Sequence, residues 1–355
     1  MKTLPPGSVI GIIGGGQLGR MLALAAAPLG YKVHIYAPDA GCCAGDVAWQ
    51  VTQARYDDET ALAAFSASVD VITFEFENVA VEPLAALGDT PVFPPLKALE
   101  IGQDRATEKS FAESLSGRTA VWAEVTDRAA LDAALEKVGV PAILKTTRLG
   151  YDGKGQARLA SSENKDAAWA ALGGQPAILE AMVPFDHEFS LIVVRGQDGS
   201  IAIYDPPENV HLNGVLDTST VPACASVQDQ LPAARTFARH LAKALDYVGV
   251  FAIEFFAGND GPIFNEMAPR VHNSGHWTIE GAETSQFENH IRAVCGLPLG
   301  SVKLTGAQIE MTNLIGDDVN AWPQLMAEQG AHVHLYGKGA PSDGRKMGHM
   351  TRVAR

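Results

Sequence analysis

Two apolar segments joined by a short turn constrain the fold most, because each of them carries one glutamate. Glu254 lies within Val248–Phe256, and Glu266 lies within Ile263–Met267. The Gly-Asn-Asp-Gly sequence between them is a strong turn signal, so the two segments are predicted to form a β-hairpin. If the hairpin is centred near Asp260, the two glutamates are equally distant from the centre and face each other across the strands.

Opposed carboxylates in apolar surroundings indicate a divalent cation. Their Cβ atoms would lie about 5 Å apart, and like charges directly opposite each other destabilise a strand pair. A bound cation removes this repulsion. Oxygen ligands, with Asn265 beside Glu266, suit a Mg²⁺ ion that bridges nucleotide phosphates. The alternative is two solvent-exposed glutamates on an edge hairpin, which the apolar neighbours disfavour. Glu254 and Glu266 are therefore the predicted metal ligands.

The first hundred residues alternate strand-like and helix-like patterns, which predicts a parallel sheet with helices on its faces. In chain order the predicted elements are a strand at Ser8–Ile13, a helix at Gln17–Ala27, a strand at Tyr31–Tyr36, a helix at Asp58–Ser66, a strand at Val69–Phe74 and a short strand at Pro91–Phe93. Gly14–Gly19 matches G-x-G-x-x-G, whose glycines let backbone N–H groups approach a phosphate at a helix end. Asp39 stands where a dinucleotide-binding fold places the carboxylate that binds the ribose. The alternatives that stay open are a dinucleotide site, a site for another phosphate and a tight turn without a ligand.

The middle of the chain predicts a small α+β lobe with a phosphate-binding loop. Its predicted elements are helices at Asp104–Leu115 and Asp127–Val138 and two strand pairs, Pro141–Lys145 with Gln156–Ala160 and Ala177–Met182 with Glu188–Arg195. Three glycines with Arg148 and Lys154 make residues 146–156 a flexible cationic loop that can fold over a polyphosphate and exclude water. Lys145, at the end of an apolar strand, would reach the phosphates. A mobile exposed hairpin is the alternative.

Strands dominate from about residue 185 onward, and a dense polar loop follows the glutamate hairpin. The further predicted elements are a strand at Ile201–Tyr204, helices at Leu231–Leu245 and Ser285–Val294, and short strands with a basic turn, Gly337–Gly348, in the tail. In the polar loop, Arg270 can hold a small oxyanion, and His272 can orient that anion or move a proton.

The overall charge excludes some partners. Lys+Arg 27 against Asp+Glu 41 gives 27 − 41 = −14, which argues against nucleic acid or a membrane surface. The length of 355 residues predicts two or three domains. Four cysteines are too few for a disulfide scaffold, and no segment has the pattern of a targeting signal or a membrane span. We therefore expect reduced thiols in a cytoplasmic enzyme.

Six motifs together resemble the N5-carboxyaminoimidazole ribonucleotide synthetase family of ATP-grasp enzymes in purine biosynthesis. They are GGGQLGRM (14–21), FEFENV (74–79), GYDGKGQ (150–156), PPENVH (206–211), NEMAPRVHNSGHWT (265–278) and GRKMGH (344–349). The resemblance covers essentially the whole chain, and the third and fifth motifs are the most specific. It implies an ATP-grasp fold, α/β and α+β, with an N-terminal Rossmann-like parallel-sheet domain (1–103), a small α+β lid domain (104–183) and a larger mixed C-terminal domain (184–355) that ends in a small β subdomain.

The resemblance also implies a homodimer that needs ATP and Mg²⁺, or Mn²⁺ in its place, with Glu254 and Glu266 as metal ligands. The implied reaction joins bicarbonate to the amino group of 5-aminoimidazole ribonucleotide through carboxyphosphate, and ATP becomes ADP and phosphate. The implied ATP contacts are Arg105, Lys145, Gly150, Tyr151, Asp152, Gly153, Lys154, Gly155, Gln156, Glu180, Ala181, Met182, Val183, Glu188, His211, Asn265 and Glu266. The implied ribonucleotide contacts are Gln17, Leu18, Glu77, Tyr151, Asp152, Lys154, Lys338 and Arg345. The implied catalytic residues are Arg270, His272, Asn273, Asp152 and Lys338, most of them around bicarbonate.

Three rival functions are weighed at this point, and the complete set of charged motif residues disfavours one of them, a protein that binds ATP without turnover. Another ATP-grasp ligase, such as a formate-using transformylase, would share the metal pair but not NEMAPRVHNSGHWT in this form. An NAD(P)-dependent oxidoreductase would use Gly14–Gly19 and Asp39 but leaves the carboxylate pair unexplained. One departure from the family pattern is Ala181, which stands where an acidic residue is common. The glycine turn is expected to hold the 5′-phosphate of the ribonucleotide.

Overall fold

The computed structural model describes residues 3–150 and 155–354. Among these residues the strands form three sheets, one parallel and two antiparallel. The helices are α1 (Gln17–Ala26), α2 (Glu59–Ser66), α3 (Leu96–Gly102), α4 (Arg105–Ser114), α5 (Arg128–Val138), α6 (Lys165–Ala171), α7 (Ala225–Gln228), α8 (Leu231–Ala244), α9 (Thr278–Gly281), α10 (Gln286–Val294) and α11 (Trp322–Ala327). None of the helices in this part of the chain is both long and apolar enough to cross a membrane.

The first sheet is parallel and has the strand order β3-β2-β1-β4. Its strands are β1 (Val9–Ile13), β2 (Lys32–Ala37), β3 (Gln50–Gln53) and β4 (Val71–Phe74). The predicted strand–helix alternation is confirmed, but β3 was missed because its polar, exposed residues carry no apolar pattern. Pro91–Phe93 was wrongly predicted to be a strand, since it contributes only an isolated bridge between Val92 and Ile72.

The second sheet is antiparallel, has the order β5-β8-β6-β7, and is covered by α5 and α6. Its strands are β5 (Trp122–Val125), β6 (Ala142–Thr146), β7 (Gln156–Leu159) and β8 (Ala177–Ala181). The predicted pairing of Ala177–Met182 with Glu188–Arg195 is wrong, because β8 lies between β5 and β6. The six residues between Ala181 and Glu188 contain Pro184 and no glycine, which does not favour a tight hairpin. The chain therefore crosses to the third sheet.

The third sheet is antiparallel and is the largest. Its order is β14-β13-β9-β11-β12-β15-β17-β16, with β10 beside β9. Its strands are β9 (Glu188–Arg195), β10 (Ile201–Ile203), β11 (Glu208–Leu212), β12 (Val215–Val221), β13 (Gly249–Gly258), β14 (Gly261–Ala268), β15 (Gln308–Ile315), β16 (Ala331–Leu335) and β17 (Lys346–Ala354). The tail strands β15 and β17 were predicted to be short, but they have 8 and 9 residues and extend this same sheet.

Helix starts and helix faces follow simple local rules. Asp58, Asp104 and Asp127 each accept a backbone N–H from the first turn of the helix that follows, which is why these starts were predicted to within one residue. Helix α8 buries residues spaced by one or three positions, the period of an amphipathic helix. These apolar residues pack against β9 and β13 and hold the glutamate hairpin on a buried core.

Candidate active site

The predicted glutamate pair is present on β13 and β14, and a bulge creates it. The hairpin turn joins Gly258 to Gly261, and that register alone would place Asn265 opposite Glu254. A one-residue shift in register next to Glu254 brings Glu266 opposite it instead. Bulges often re-aim side chains beside active sites, and here the bulge points both carboxylates to the same face of the sheet.

The two carboxylates differ in their electrostatic state. Burial, and then the charge of Glu266, raise the pKa of Glu254 to about 7. Burial also disfavours the charge of Glu266, but Arg105 donates a 2.7 Å hydrogen bond to it and lowers its pKa overall. Nε2 of His272 lies 3.5 Å from the Glu254 carboxylate. Two close carboxyl groups, one of which cannot easily ionise, form an oxygen-rich site that fits a divalent cation.

A cleft lies between the small antiparallel sheet and this hairpin. It is flanked by apolar side chains, and Phe185 and Phe256 stack with ring centroids 4.5 Å apart. The other lining residues include Lys145, Glu180, Ala181, Met182, Val183, Phe264 and Asn265. An apolar cleft whose lining also includes cationic and amide side chains suits a nucleotide with its phosphates toward the carboxylate pair.

Glu180 is the centre of a buried ion-pair group in this cleft. Lys109 and Lys145 both form salt bridges with its carboxylate. The Glu180 side chain is only 5% exposed and that of Lys109 only 2%. Burial opposes the charge of Glu180, but Lys145 and Lys109 outweigh it and lower the pKa to about 2. The Glu180 carboxylate therefore stays ionised between the two lysines near neutral pH.

Glu188 and His211 form a second pair beside the hairpin. Nδ1 of His211 lies 2.6 Å from the Glu188 carboxylate, and strands β9 and β11 bring the two residues together. Burial lowers the basicity of His211, but Glu188 and the nearby Glu254 outweigh it and raise the pKa. This pair therefore favours a cationic imidazole next to the predicted metal ligands.

The glycine-rich loop is described only at its two ends. Nη2 of Arg105 donates a 3.0 Å hydrogen bond to the Gly150 carbonyl, so one arginine contacts both the loop and Glu266. Gly155 closes the loop onto β6, and Gln156 pairs with Lys145 in the sheet. The predicted site residues Tyr151, Asp152, Gly153 and Lys154 lie outside the described residues.

Neutral His272 and the pair Arg270–Glu77 organise the polar loop after the hairpin. Burial, and then the charge of Arg270, hold the pKa of His272 well below its usual range. Nη2 of Arg270 donates a 2.6 Å hydrogen bond to Glu77, which ties this loop to the N-terminal sheet. Asn273, predicted to be catalytic, is buried and exchanges two 2.9 Å hydrogen bonds with Asn313. Its geometry therefore favours holding the loop in place over contact with a substrate.

The glycine turn before α1 is filled by a side chain that the sequence did not single out. Burial raises the pKa of Glu75, although hydrogen bonds from the Gly16 and Leu18 amides oppose this shift. A Cβ added at Gly14 or Gly16 would clash with a Glu75 carboxylate oxygen. A carboxylate therefore uses two of the amides that were expected to hold a phosphate, and phosphate binding at this turn stays a prediction. Gln17 begins this helix and is partly exposed.

The late basic turn contributes Lys338 and Arg345. Nζ of Lys338 donates to the Lys346 carbonyl at 3.0 Å, and burial, as the largest effect, lowers its pKa. Glu75 and Arg345 also act electrostatically on Lys338, so the turn lies close to the glycine turn. Arg345 itself is exposed. Of the predicted ribonucleotide residues that the structure describes, Leu18, Glu77 and Lys338 thus lie in one region around Glu75 and Arg270.

Replacing Gly14 by alanine tests the contact between the glycine turn and Glu75. Gly14 has φ +120° and faces Glu75, whereas Gly41 has φ +70° and open space around it. We expect Gly14→Ala to cost about 1–3 kcal/mol more stability than Gly41→Ala, because only the first adds a close contact to backbone strain. Urea unfolding of both variants measures the difference. Equal losses would show that Glu75 does not explain the glycine.

Comparison with known proteins follows the same three regions. A family model described as ribonucleotide synthetase preATP-grasp domain matches residues 8–103, one described as ATP-grasp domain matches 110–287, and one described as phosphoribosylaminoimidazole carboxylase C-terminal domain matches 310–355. Together with the cleft, the carboxylate pair and the buried lysines, these matches define the class: an ATP-dependent ligase with an ATP-grasp fold.

Whole-chain relatives give the family within that class. N5-carboxyaminoimidazole ribonucleotide synthase of Brucella melitensis is 54% identical over 355 residues, covering 99% of this chain and 98% of that protein. The crystal structure of the synthetase from Thermus thermophilus superposes with a TM-score of 0.90 at 48% identity, covering 98% and 93% of the two chains. The Aspergillus clavatus enzyme in complex with ADP and 5-aminoimidazole ribonucleotide gives 0.91 at 30% identity, covering 98% and 94%. The chain belongs to the N5-carboxyaminoimidazole ribonucleotide synthase family.

Proposed function

We propose that this chain carboxylates 5-aminoimidazole ribonucleotide on its amino group with bicarbonate, with the conversion of ATP to ADP and phosphate. The observation that carries the proposal is the cleft lined by Lys145, Glu180 and Asn265, next to the opposed Glu254 and Glu266, where the charge of Lys145 acts on Glu266. Whole-length similarity to the named synthases, one of them solved with ADP and this ribonucleotide, supports the substrate. A carboxylate at the glycine turn disfavours the oxidoreductase alternative, because the pyrophosphate of a dinucleotide would need the same amides.

Glu254 and Glu266 would hold Mg²⁺, or Mn²⁺ in its place, and the ion would supply positive charge to the transferring phosphoryl group. Lys145 lines the cleft and adds a second positive charge, which acts electrostatically on Glu266. A carboxyphosphate intermediate would hydrolyse in water, so the proposed reaction requires that water be excluded from the cleft. Met182, Val183 and the Phe185–Phe256 stack form the apolar slot for the adenine ring.

The second half of the reaction uses the polar loop. Bicarbonate is a poor electrophile, so its oxygen first takes the γ-phosphoryl group of ATP and forms a mixed anhydride. The amine nitrogen of the ribonucleotide then bonds to the carboxyl carbon, directly or through CO₂, and the bond from that carbon to the phosphate oxygen breaks. Phosphate leaves, and the amine proton passes to the departing phosphate or to solvent. Arg270, fixed by Glu77, binds the anion in its guanidinium fork. His272 is neutral and a weak base, so we assign it an orienting hydrogen bond and not proton removal.

The wider organisation is also part of this proposal. Three separate sheets support domain boundaries after residues 103 and 183, although the last tail strands continue the third sheet. The family resemblance supports a homodimer in the cytoplasm. Lys338 and Arg345, together with Gln17, Leu18 and Glu77, are the proposed ribonucleotide contacts at the junction of the first and third sheets.

Phosphate release from ATP by the purified protein tests the proposed function. We expect rapid release only when bicarbonate, the aminoimidazole ribonucleotide and Mg²⁺ are all present, because each reactant is consumed in the coupled reaction. Replacing bicarbonate by formate in bicarbonate-depleted buffer is the matched control, and it should leave only background release. Release that depends on formate would identify the transformylase alternative. Phosphate release that depends on neither bicarbonate nor formate would contradict the proposed carboxylation.

A further inference from the structure

A second group of metal-ligating side chains lies outside the site described above. His187 precedes β9, Glu208 begins β11, and Cys224 follows β12. One imidazole nitrogen, one carboxylate oxygen and the thiol sulfur lie within 4.8 Å of one another, and all three side chains are partly exposed. The function proposed above uses none of these three residues.

Backbone contacts hold the three side chains in place. The His187 carbonyl accepts a 2.9 Å hydrogen bond from the Ala257 amide, and Glu208 pairs with Phe189 between β11 and β9. The Glu208 carboxylate is central, with one oxygen 2.7 Å from Nδ1 of His187 and the other accepting a 3.2 Å hydrogen bond from the Cys224 amide. The ligands are thus brought together without any ion.

The ligand types select a class of cation. Nitrogen, sulfur and carboxylate oxygen are the donors that Zn²⁺ takes, whereas Mg²⁺ and Ca²⁺ prefer oxygen alone. Tetrahedral Zn²⁺ with bonds of about 2.0–2.3 Å needs its ligand atoms roughly 3.3–3.8 Å apart. The His187 nitrogen and the Glu208 oxygen, 2.7 Å apart, must therefore separate slightly, and the Cys224 sulfur, within 4.8 Å of both, must approach by up to about 1 Å. The partial exposure of the three side chains allows these shifts. An adjoining cavity of about 460 Å³, lined by Asp186, His187 and Asp229, is open to water as a fourth ligand.

We propose that His187, Glu208 and Cys224 form a binding site for a borderline-soft divalent cation of the Zn²⁺ type. Binding releases the Cys224 thiol proton to solvent, since the thiolate is the ligand. The ion fastens the chain before β9 to β11 and to the segment after β12. Glu188 directly follows His187, and His211 lies three residues beyond Glu208. The ion therefore cross-links β9 and β11, the two strands that carry the Glu188–His211 pair.

Co²⁺ added alone to the full chain tests this site, because thiolate-to-cobalt charge transfer absorbs in the near ultraviolet and oxygen ligands give no such band. We expect a saturable band at about one equivalent, bleached by one equivalent of Zn²⁺. A large excess of Mg²⁺ should leave the band unchanged, because Mg²⁺ does not compete for a thiolate. Absence of the band, or its loss on addition of Mg²⁺, overturns the proposal.

Single substitutions assign the band to these residues. Cys224→Ser should abolish it, whereas Cys42→Ser, at another partly exposed free thiol, should keep it. His187→Gln should weaken Co²⁺ binding at least tenfold, in line with the loss of a ligand. A band that persists in Cys224→Ser overturns the assignment. Bicarbonate-dependent turnover of Cys224→Ser without added Zn²⁺ should match the unsubstituted protein, so failure of this site and failure of the proposed function are distinguishable.

Discussion

Glu266→Gln is expected to lower turnover by roughly 100- to 1000-fold or more while the protein stays folded, a loss of the size seen when one preorganised charge-stabilising group is removed. The amide keeps the volume of the side chain and still accepts from Arg105, so the hairpin should persist. It removes the negative charge that pairs with Glu254 across the hairpin to bind a cation. Phosphate release at saturating ATP and a range of Mg²⁺ concentrations measures the effect.

Glu328→Gln is the matched control for that substitution. Glu328 is also a glutamate paired with one arginine, Arg352, but on the surface and away from the cleft. Its turnover should stay within about twofold, because exposed ion pairs contribute little. If Glu266→Gln keeps comparable turnover, or if both variants lose it equally, the carboxylate pair is not the metal site.

The sequence predicts the hairpin because its signals are local. A turn sequence flanked by apolar segments indicates two paired strands whatever surrounds them. The register is less secure, because the turn is centred between Asn259 and Asp260 and only the bulge restores the pairing of Glu254 with Glu266. A bulge has no reliable sequence signal when its extra residue is an ordinary Asn265. The pair was therefore predicted correctly, although the bulge that creates it was not predicted.

The roles of residues that act through contacts distant in sequence were not predicted. Lys109 reads as one charge on a polar helix, yet α4 places it against Glu180 on β8. Glu108, its neighbour, is buried and accepts a 2.6 Å hydrogen bond from the Met267 amide, and burial raises its pKa to about 8. Glu75 directly follows the predicted strand Val69–Phe74, and only the structure places it in the glycine turn. Such roles depend on which strands become neighbours. The wrong partner predicted for β8 shows that the sequence did not supply the strand pairing.

Glu180→Gln is expected to destabilise the protein by about 3–5 kcal/mol, because removing the centre of a buried ion-pair group leaves uncompensated charges. Lys109 and Lys145 would then face each other across a neutral amide in the cleft. Asp132→Asn is the matched control, since Asp132 also lies between two cations, Arg128 and Lys165, but on the surface. Urea unfolding at pH 7 should show a large loss for the first variant and little change for the second.

The pH dependence of stability distinguishes the effect of the Glu180 charge from the effect of the shape of its side chain. The folded-state pKa of Glu180 is about 2 against an ordinary value of 4.5, so its stabilisation is fully present above pH 4.5 and is lost as the pH falls toward 2. Glu180→Gln has no carboxyl group to protonate at this position. The difference in unfolding free energy between the unsubstituted protein and the variant should therefore shrink as the pH drops from about 5 to 3. A difference that stays constant over this range would mean that Glu180→Gln loses stability through poorer hydrogen-bond geometry. The charge of Glu180 would then not be what stabilises the two buried lysines.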